Sequence, residues 1–159
     1  SIAFLSACPE ATSVVNDFAE VLEVAKRKTV EHEVFDRCEF RPGNFQDIEI
    51  ESNSYDLVVL GHVCRTEGEE GAANLIDRAF SALKPGGRIL VADYFIDLER
   101  KFNPHGVLMG MTMMASTING FQISNEQVSL WLRESGFESL RLVEPIGFQF
   151  VYVAVKPFN

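Results

Sequence analysis

Two blocks of sequence decide how this chain reads: Tyr55-Asp-Leu-Val-Val-Leu-Gly-His-Val-Cys-Arg-Thr-Glu67, and Leu83-Lys-Pro-Gly-Gly-Arg-Ile-Leu-Val-Ala-Asp-Tyr94. Each is a run of apolar residues ending in polar ones. Consecutive apolar residues, instead of alternating ones, mark strands buried on both faces of a parallel sheet. Between them Ala72, Leu75, Ile76, Ala79, Phe80 and Leu83 repeat at helical spacing, so the unit is a strand, a crossover helix and a second strand. Lys84-Pro-Gly-Gly87 is expected to stop the helix and turn the chain, with Arg88–Tyr94 forming the second buried strand.

The flanking sequence extends this alternation. Ser1 to Ala7 is short and helical in character and ends at Pro9, and Ser13–Asp17 is a β-branched strand candidate. Phe18, Val21, Leu22, Ala25 and Val30 space a helix over 18–34, and Glu39–Gly43 reads as a short strand entering a turn. Val107–Ala115 is apolar nearly all round and holds all four methionines, so as a helix it should be covered on most sides. Ser124 and Gln127 have capping-box spacing ahead of Val128, Leu130, Trp131 and Leu132, and Gly136 suits that helix's end. Ser139–Pro145 and Phe148–Lys156 alternate around a Pro-Ile-Gly turn, as an antiparallel hairpin does. The expected architecture is one α/β domain over 1–159: a mainly parallel sheet, helices on both faces, and a closing hairpin. Such sheets bind ligands outside the carboxyl ends of their strands.

Composition narrows the partners. With 159 residues, 47% hydrophobic and 13 Phe, the chain can build a sizeable core. A formal charge of −9 disfavours nucleic acid and anionic membrane surfaces, and points to a neutral or cationic small molecule. Cys8, Cys38 and Cys64 are odd in number and widely spaced, as in a reducing compartment. No apolar run approaches the ~20 residues of a membrane span, and no basic region precedes the first apolar stretch, so the cytoplasm is the expected location. His32, His62 and His105 lack ligand spacing, so no metal site is expected.

The two blocks, with Val15-Asn-Asp-Phe-Ala-Glu-Val-Leu22 and Pro42-Gly-Asn-Phe45, resemble class I S-adenosylmethionine-dependent methyltransferases, and the small-molecule O-methyltransferases among them. The resemblance implies a Rossmann-like catalytic domain, S-adenosylmethionine as cofactor and transfer of its methyl group to a small-molecule hydroxyl. It places Asp17, with Phe18 beside it, where family members bind the ribose; the other reading of Asp17 is a helix N-cap. It places Asn44 and Phe45 at the adenine contact, where the family usually has Gly-Asp-Phe; otherwise Gly43-Asn44 is simply a turn pair. Gly61 and His62 fall in the cofactor-facing part of the strand end.

The family's catalytic His, a general base, aligns with Arg65, and neither the Asp nor the Trp of its usual triplet is present. Arg stays protonated, so His62 and Glu67 are substitute candidates; otherwise Arg65 pairs with Glu67 or Glu69. Alignment of donor and acceptor supplies much of the rate in any case, and Arg65 can stabilise an acceptor arriving as an oxyanion. His105, Met109 and Met113 lie on the helix that forms an acceptor-pocket wall in the family, although an apolar helix is also ordinary core.

The family's first strand and its glycine-rich loop have no counterpart before Asp17, and Ser1–Glu10 resembles the helix that follows that loop. The expectation is therefore a partial catalytic domain whose first strand is missing, one that binds the cofactor weakly or not at all by itself and belongs to a homodimeric enzyme. A methyltransferase-like binding or regulatory module without catalysis is the alternative. A nicotinamide-dependent dehydrogenase fits poorly, because no hydride-transfer Tyr-Lys or His-Asp pair is evident.

Overall fold

A computed structural model describes residues 1–97 and 103–158, apart from the side chains of 144–146. The chain folds as two compact units, Ser1–Glu49 and Ile50–Asn159.

The first unit is built on α1 (Ile2–Ala7), β1 (Ser13–Asp17), α2 (Ala19–Glu31) and β2 (Cys38–Pro42). β1 and β2 pair in parallel from Ser13 opposite Cys38 to Asp17 opposite Pro42, so both strands end at one edge. Leu5, Leu22 and Val34 form its small buried centre. Val21 and Val30, placed by spacing on the apolar face of α2, are exposed instead. Arg37 ties the chain together, its Nη1 donating to the carbonyls of Leu5, Cys8, Pro9 and Ala11 at 2.9–3.2 Å. Those acceptors include orphan carbonyls at the end of α1 and in the loop beyond it, which a guanidinium satisfies well.

The second unit carries a four-stranded mixed sheet in the order β3 (Tyr55–Gly61), β4 (Leu83–Asp93), β6 (Gln149–Val155), β5 (Glu138–Ile146). β3 and β4 are parallel, and the closing hairpin of β5 and β6 adds antiparallel pairs. α3 (Gly68–Ala82), α4 (Pro104–Ser116) and α5 (Asn125–Glu134) complete the unit. The core is the inward stripe of α3 (Ala72, Ile76, Ala79), the α5 residues Val128, Trp131 and Leu132, and the inward faces of β4 and β6.

Three local expectations change. β3 lies at the edge of its sheet, and none of its residues is fully buried. Lys84–Gly87 does not separate helix from strand. Tyr55 and Leu57 pair with Leu83 and Arg88, so these four residues bulge out of a strand that has already begun at Leu83. Gly86 takes φ +79° there, a left-handed conformation that suits glycine. Lys156 Nζ closes the same corner, donating to the carbonyls of Phe80 and Leu83 and to Asn53 Oδ1. α4, expected to be covered, buries only Gly106 and Gly110 and leaves Leu108, Met111 and Met114 exposed.

The capping box is formed as its spacing predicts: Ser124 Oγ accepts from the Gln127 amide, and Gln127 Oε1 from the Ser124 amide. Gly136, at φ +95°, follows the end of α5.

Candidate functional site

Alternation along β4 sends Ile89, Val91 and Asp93 to the same inward face, and all three are fully buried. A carboxylate at the end of that row is carried into the core by the pleat that buries the two aliphatic residues. Burying it alone is costly, so it needs a partner of opposite charge. Arg65 supplies one: its Nη1 donates to Asp93 Oδ1. The Tyr94 amide donates to the same oxygen at 2.8 Å.

Arg65 stands on the short 3₁₀ turn Cys64–Thr66 that follows β3, which brings it level with the end of β4. The turn is anchored at both sides: the Phe121 amide donates to the Arg65 carbonyl at 3.1 Å, and Thr66 Oγ1 donates to the Val63 carbonyl at 2.8 Å. Arg65 Nη1 also lies 3.1 Å from His62 Nδ1, and its guanidinium carbon sits 5.1 Å from the centre of the Tyr94 ring.

His62 directly follows β3 in a left-handed conformation, φ +61°, which residues other than glycine adopt only when their surroundings hold them there. Its amide donates to the Ala92 carbonyl at 2.8 Å, extending the β3–β4 pairing by one bond. Its ring lies 5.1 Å from that of Tyr94. Tyr94 in turn neighbours His105 at 5.8 Å, and His105 stacks on Phe148 at 4.4 Å and 13°. Gln149 Nε2 donates to the Tyr94 hydroxyl at 3.2 Å. The carboxyl ends of β3 and β4 thus gather one Arg, one Asp, two His and two further aromatic rings.

Two of these groups keep unused capacity. Arg65 Nε and Asp93 Oδ2 are buried without a hydrogen-bond partner among the described residues. Cys64 is buried beside them. Burial, with added push from the Asp93 and Glu67 charges, raises its thiol to about 12, so it is no nucleophile near neutral pH.

The remaining candidates of this unit divide. Glu67 is not Arg65's partner; it accepts from Thr66 Oγ1 at 3.0 Å and precedes α3. Glu69 accepts from Gln127 Nε2. Gly61 borders open space. His105 is not the cap of α4: Asn103 is, accepting from the Gly106 amide and donating to the carbonyls of Phe95 and Phe148. Met109 and Met113 follow His105 at four-residue spacing, on one half-buried stripe beside Gly106 and Gly110. Asp93 and Tyr94 are the residues that sequence reasoning passed over. An acid placed in register with Ile89 and Val91 is the signal that marks Asp93.

In the first unit, Asp17, Phe18, Asn44 and Phe45 meet at the carboxyl edge of β1 and β2, where the Gly43 amide donates to the Asp17 carbonyl. Asp17 is not the helix cap, a position taken by Phe18. Its Oδ1 accepts from the Phe18 amide at 2.8 Å, and Oδ2 has no partner among the described residues. Asn44 Oδ1 accepts from the Gln46 amide at 3.0 Å, closing a side-chain turn. Its unengaged group is therefore the Nδ2 donor. Phe18 is exposed and Phe45 half-buried.

Among the described residues no group of His, Cys, Asp and Glu has the geometry of a metal site, and no helix is long and apolar enough to cross a membrane.

The fold has counterparts among known proteins. A putative O-methyltransferase structure from Nostoc punctiforme superposes on 98% of the chain with a TM-score of 0.90 and 28% identity, the chain covering 48% of it. The tetracenomycin polyketide synthesis 8-O-methyl transferase of Streptomyces glaucescens is 28% identical over 102 residues, 64% of the chain and 30% of that protein. A ubiquinone/menaquinone biosynthesis C-methyltransferase of Dinoroseobacter shibae is 29% identical over 92 residues, 57% of the chain and 36% of that protein. The chain thus spans less than half the length of these relatives. The O-methyltransferase domain model matches residues 2–138. By its strand order, its closing hairpin and that match, the chain belongs to the O-methyltransferase domain family of S-adenosylmethionine-dependent methyltransferases.

Proposed function

We propose that this chain is part of the catalytic domain of an enzyme that methylates a hydroxyl oxygen of a small molecule. The observation that carries this reading is the cluster of His62, Arg65, Asp93 and Tyr94 at the carboxyl ends of β3 and β4. It joins a buried ion pair to a partly open imidazole and an aromatic surface, in a family whose members transfer methyl groups. S-adenosylmethionine, when bound, supplies a sulfonium methyl: the acceptor oxygen forms the new C–O bond, the C–S pair stays on sulfur, and the hydroxyl proton leaves.

The residues present suit that cofactor. Asp17 offers a free carboxylate oxygen to vicinal ribose hydroxyls, and Asn44 Nδ2 offers a donor suited to a purine ring nitrogen. Exposed Phe18 and half-buried Phe45 offer aromatic surface beside them. On the acceptor side, Arg65 holds positive charge near the reacting oxygen, and Tyr94, His105 and Met109 and Met113 supply a wall for a flat ring. We assign the chemistry to these residues and not to Glu67, whose carboxylate accepts from Thr66 Oγ1.

The enzyme reading further expects a homodimer acting on a dissolved acceptor. The test is methyl transfer from labelled S-adenosylmethionine by the full gene product, using phenols and enols as acceptors. Methylated ether is the expected product. Carbon-methylated product would transfer the reading to the chemistry named for the Dinoroseobacter relative. Cofactor binding with no transfer to any acceptor would favour the non-catalytic module, for which Arg65 in place of the family's His is the supporting observation.

A further inference from the structure

We infer that His62 serves the site as a hydrogen-bond donor to the acceptor's oxygen in one fixed tautomer, and not as the base, with Arg65 and Asp93 as the residues that set this tautomer. The inference rests on the methyltransferase reading for its substrate, but its structural half stands on geometry alone. A guanidinium has donors and no acceptor. At 3.1 Å, the contact between Arg65 Nη1 and His62 Nδ1 is therefore a hydrogen bond only if Nδ1 offers its lone pair. Among the described residues, the other charged group near that nitrogen is Asp93 Oδ1, 3.8 Å away and too distant to accept a hydrogen bond from Nδ1–H. Nδ1 is thus an acceptor, and the ring proton of neutral His62 sits on Nε2.

A base needs a free lone pair facing the proton it removes. In this tautomer the only lone pair on the ring is already committed to Arg65, and Nε2 carries hydrogen. The ring remains about one-third accessible, so an N–H donor is what it presents. The groups around it are the Arg65 and Asp93 pair, the Tyr94 ring at 5.1 Å and, beyond Tyr94, His105.

Three further features hold the ring in place. Asp93 is fully buried and reaches no substrate; by gripping Arg65 Nη1 it is a positioning residue that acts through Arg65 on His62. The His62 amide is fastened to Ala92. The left-handed backbone at residue 62 is kept despite its cost, as strained positions at functional sites often are.

The consequence concerns the substrate class. With His62 engaged as a donor, the acceptor loses its proton to solvent water or buffer in this proposal. It is therefore a hydroxyl acidic enough to do so near neutral pH, such as a phenol or enol conjugated to a carbonyl. His62 Nε2–H then stabilises the oxyanion as it is held for transfer.

The tautomer can be read directly by long-range proton–nitrogen correlation NMR on the full gene product labelled with ¹⁵N-histidine, the His62 signals being assigned by their loss in His62→Gln. The expected pattern is an unprotonated Nδ1 and a protonated Nε2 at neutral pH, reverting to a tautomer mixture in Arg65→Met. A protonated Nδ1 in the unmodified protein overturns the inference, whether or not methyl transfer is ever detected. The second arm compares kcat. His62→Gln keeps an N–H donor near the position of Nε2 and should remain within about tenfold of the parent, while His62→Ala should fall about 10²–10³-fold. Equal loss in both variants is the result for a base and contradicts the proposal. With His62 intact, the pH at which the rate rises should shift with the pKa of the acceptor hydroxyl. A rise at the same pH for acceptors of different acidity would also contradict it.

Discussion

Each unit is organised around one arginine, and the two are used in opposite ways. In Ser1–Glu49, Arg37 spends its donors on four main-chain carbonyls and holds a loop, while the edge-of-sheet groups Asp17 and Asn44 keep free polar atoms. In Ile50–Asn159, Arg65 pairs with a buried carboxylate, contacts an imidazole and keeps an Nε without a partner among the described residues. A guanidinium spent on carbonyls stabilises local structure. One held by a buried acid beside a half-open histidine orders side chains whose only evident use is recognition or chemistry. Under the proposed function, the first arrangement suits binding a ligand and the second suits reacting with one.

The largest effect is expected from Asp93→Ala. Losing the acid leaves Arg65 buried without a counter-charge, and unfolding by urea should show a loss of about 3–5 kcal/mol. A loss below 1 kcal/mol would mean that the pair is not buried as described. Arg37→Ala should cost less, about 2 kcal/mol, from hydrogen bonds made by a charged donor at a partly exposed position. That loss should appear as faster amide hydrogen exchange within Ser1–Glu49, with kcat unchanged.

Cys64 makes the buried side of Ile50–Asn159 sensitive to alkaline pH. Its thiol is raised from 9.0 to about 12 by burial first and the Asp93 and Glu67 charges second. A raised folded value means that the protonated thiol's contribution is fully present below pH 9 and is lost as pH climbs towards 12. Between these limits stability should fall by about 1.4 kcal/mol per pH unit more in the parent than in Cys64→Ala. Parallel pH profiles for the two proteins would show that the thiol is open to solvent. The smallest effect concerns the backbone of His62. Because residue 62 is left-handed, His62→Gly should be more stable than His62→Ala by about 1 kcal/mol, the reverse of the usual order.

Most of the architecture was legible because local signals agreed with one another. The capping box at Ser124, the stripe of α3 and the alternation of the closing hairpin each have one physical reading, and the structure has that reading. The errors arose where non-local pairing decides. Lys84-Pro-Gly-Gly87 carries turn residues, but whether it precedes a strand or bulges from one depends on the register with β3. The burial of β3 and of α4 depends on neighbours that spacing does not supply. At the site, His62 and Arg65 stood out by type and position. Their partner Asp93 became visible only once β4's inward row was placed, because an acid following Val91 and Ala92 otherwise looks like an ordinary strand end.

We propose that the free group of Asp17 serves cofactor binding and that Arg65 serves methyl transfer. Measuring S-adenosylhomocysteine affinity and kcat side by side, in the full gene product carrying Asp17→Asn or Arg65→Gln, tests it most directly. Asp17→Asn should weaken Kd about tenfold with a small change in kcat, the worth of one strong hydrogen bond. Arg65→Gln should lower kcat by about 10²–10³-fold at an unchanged Kd. An Arg65→Gln enzyme with parental kcat, or an Asp17→Asn enzyme with parental affinity, would contradict it.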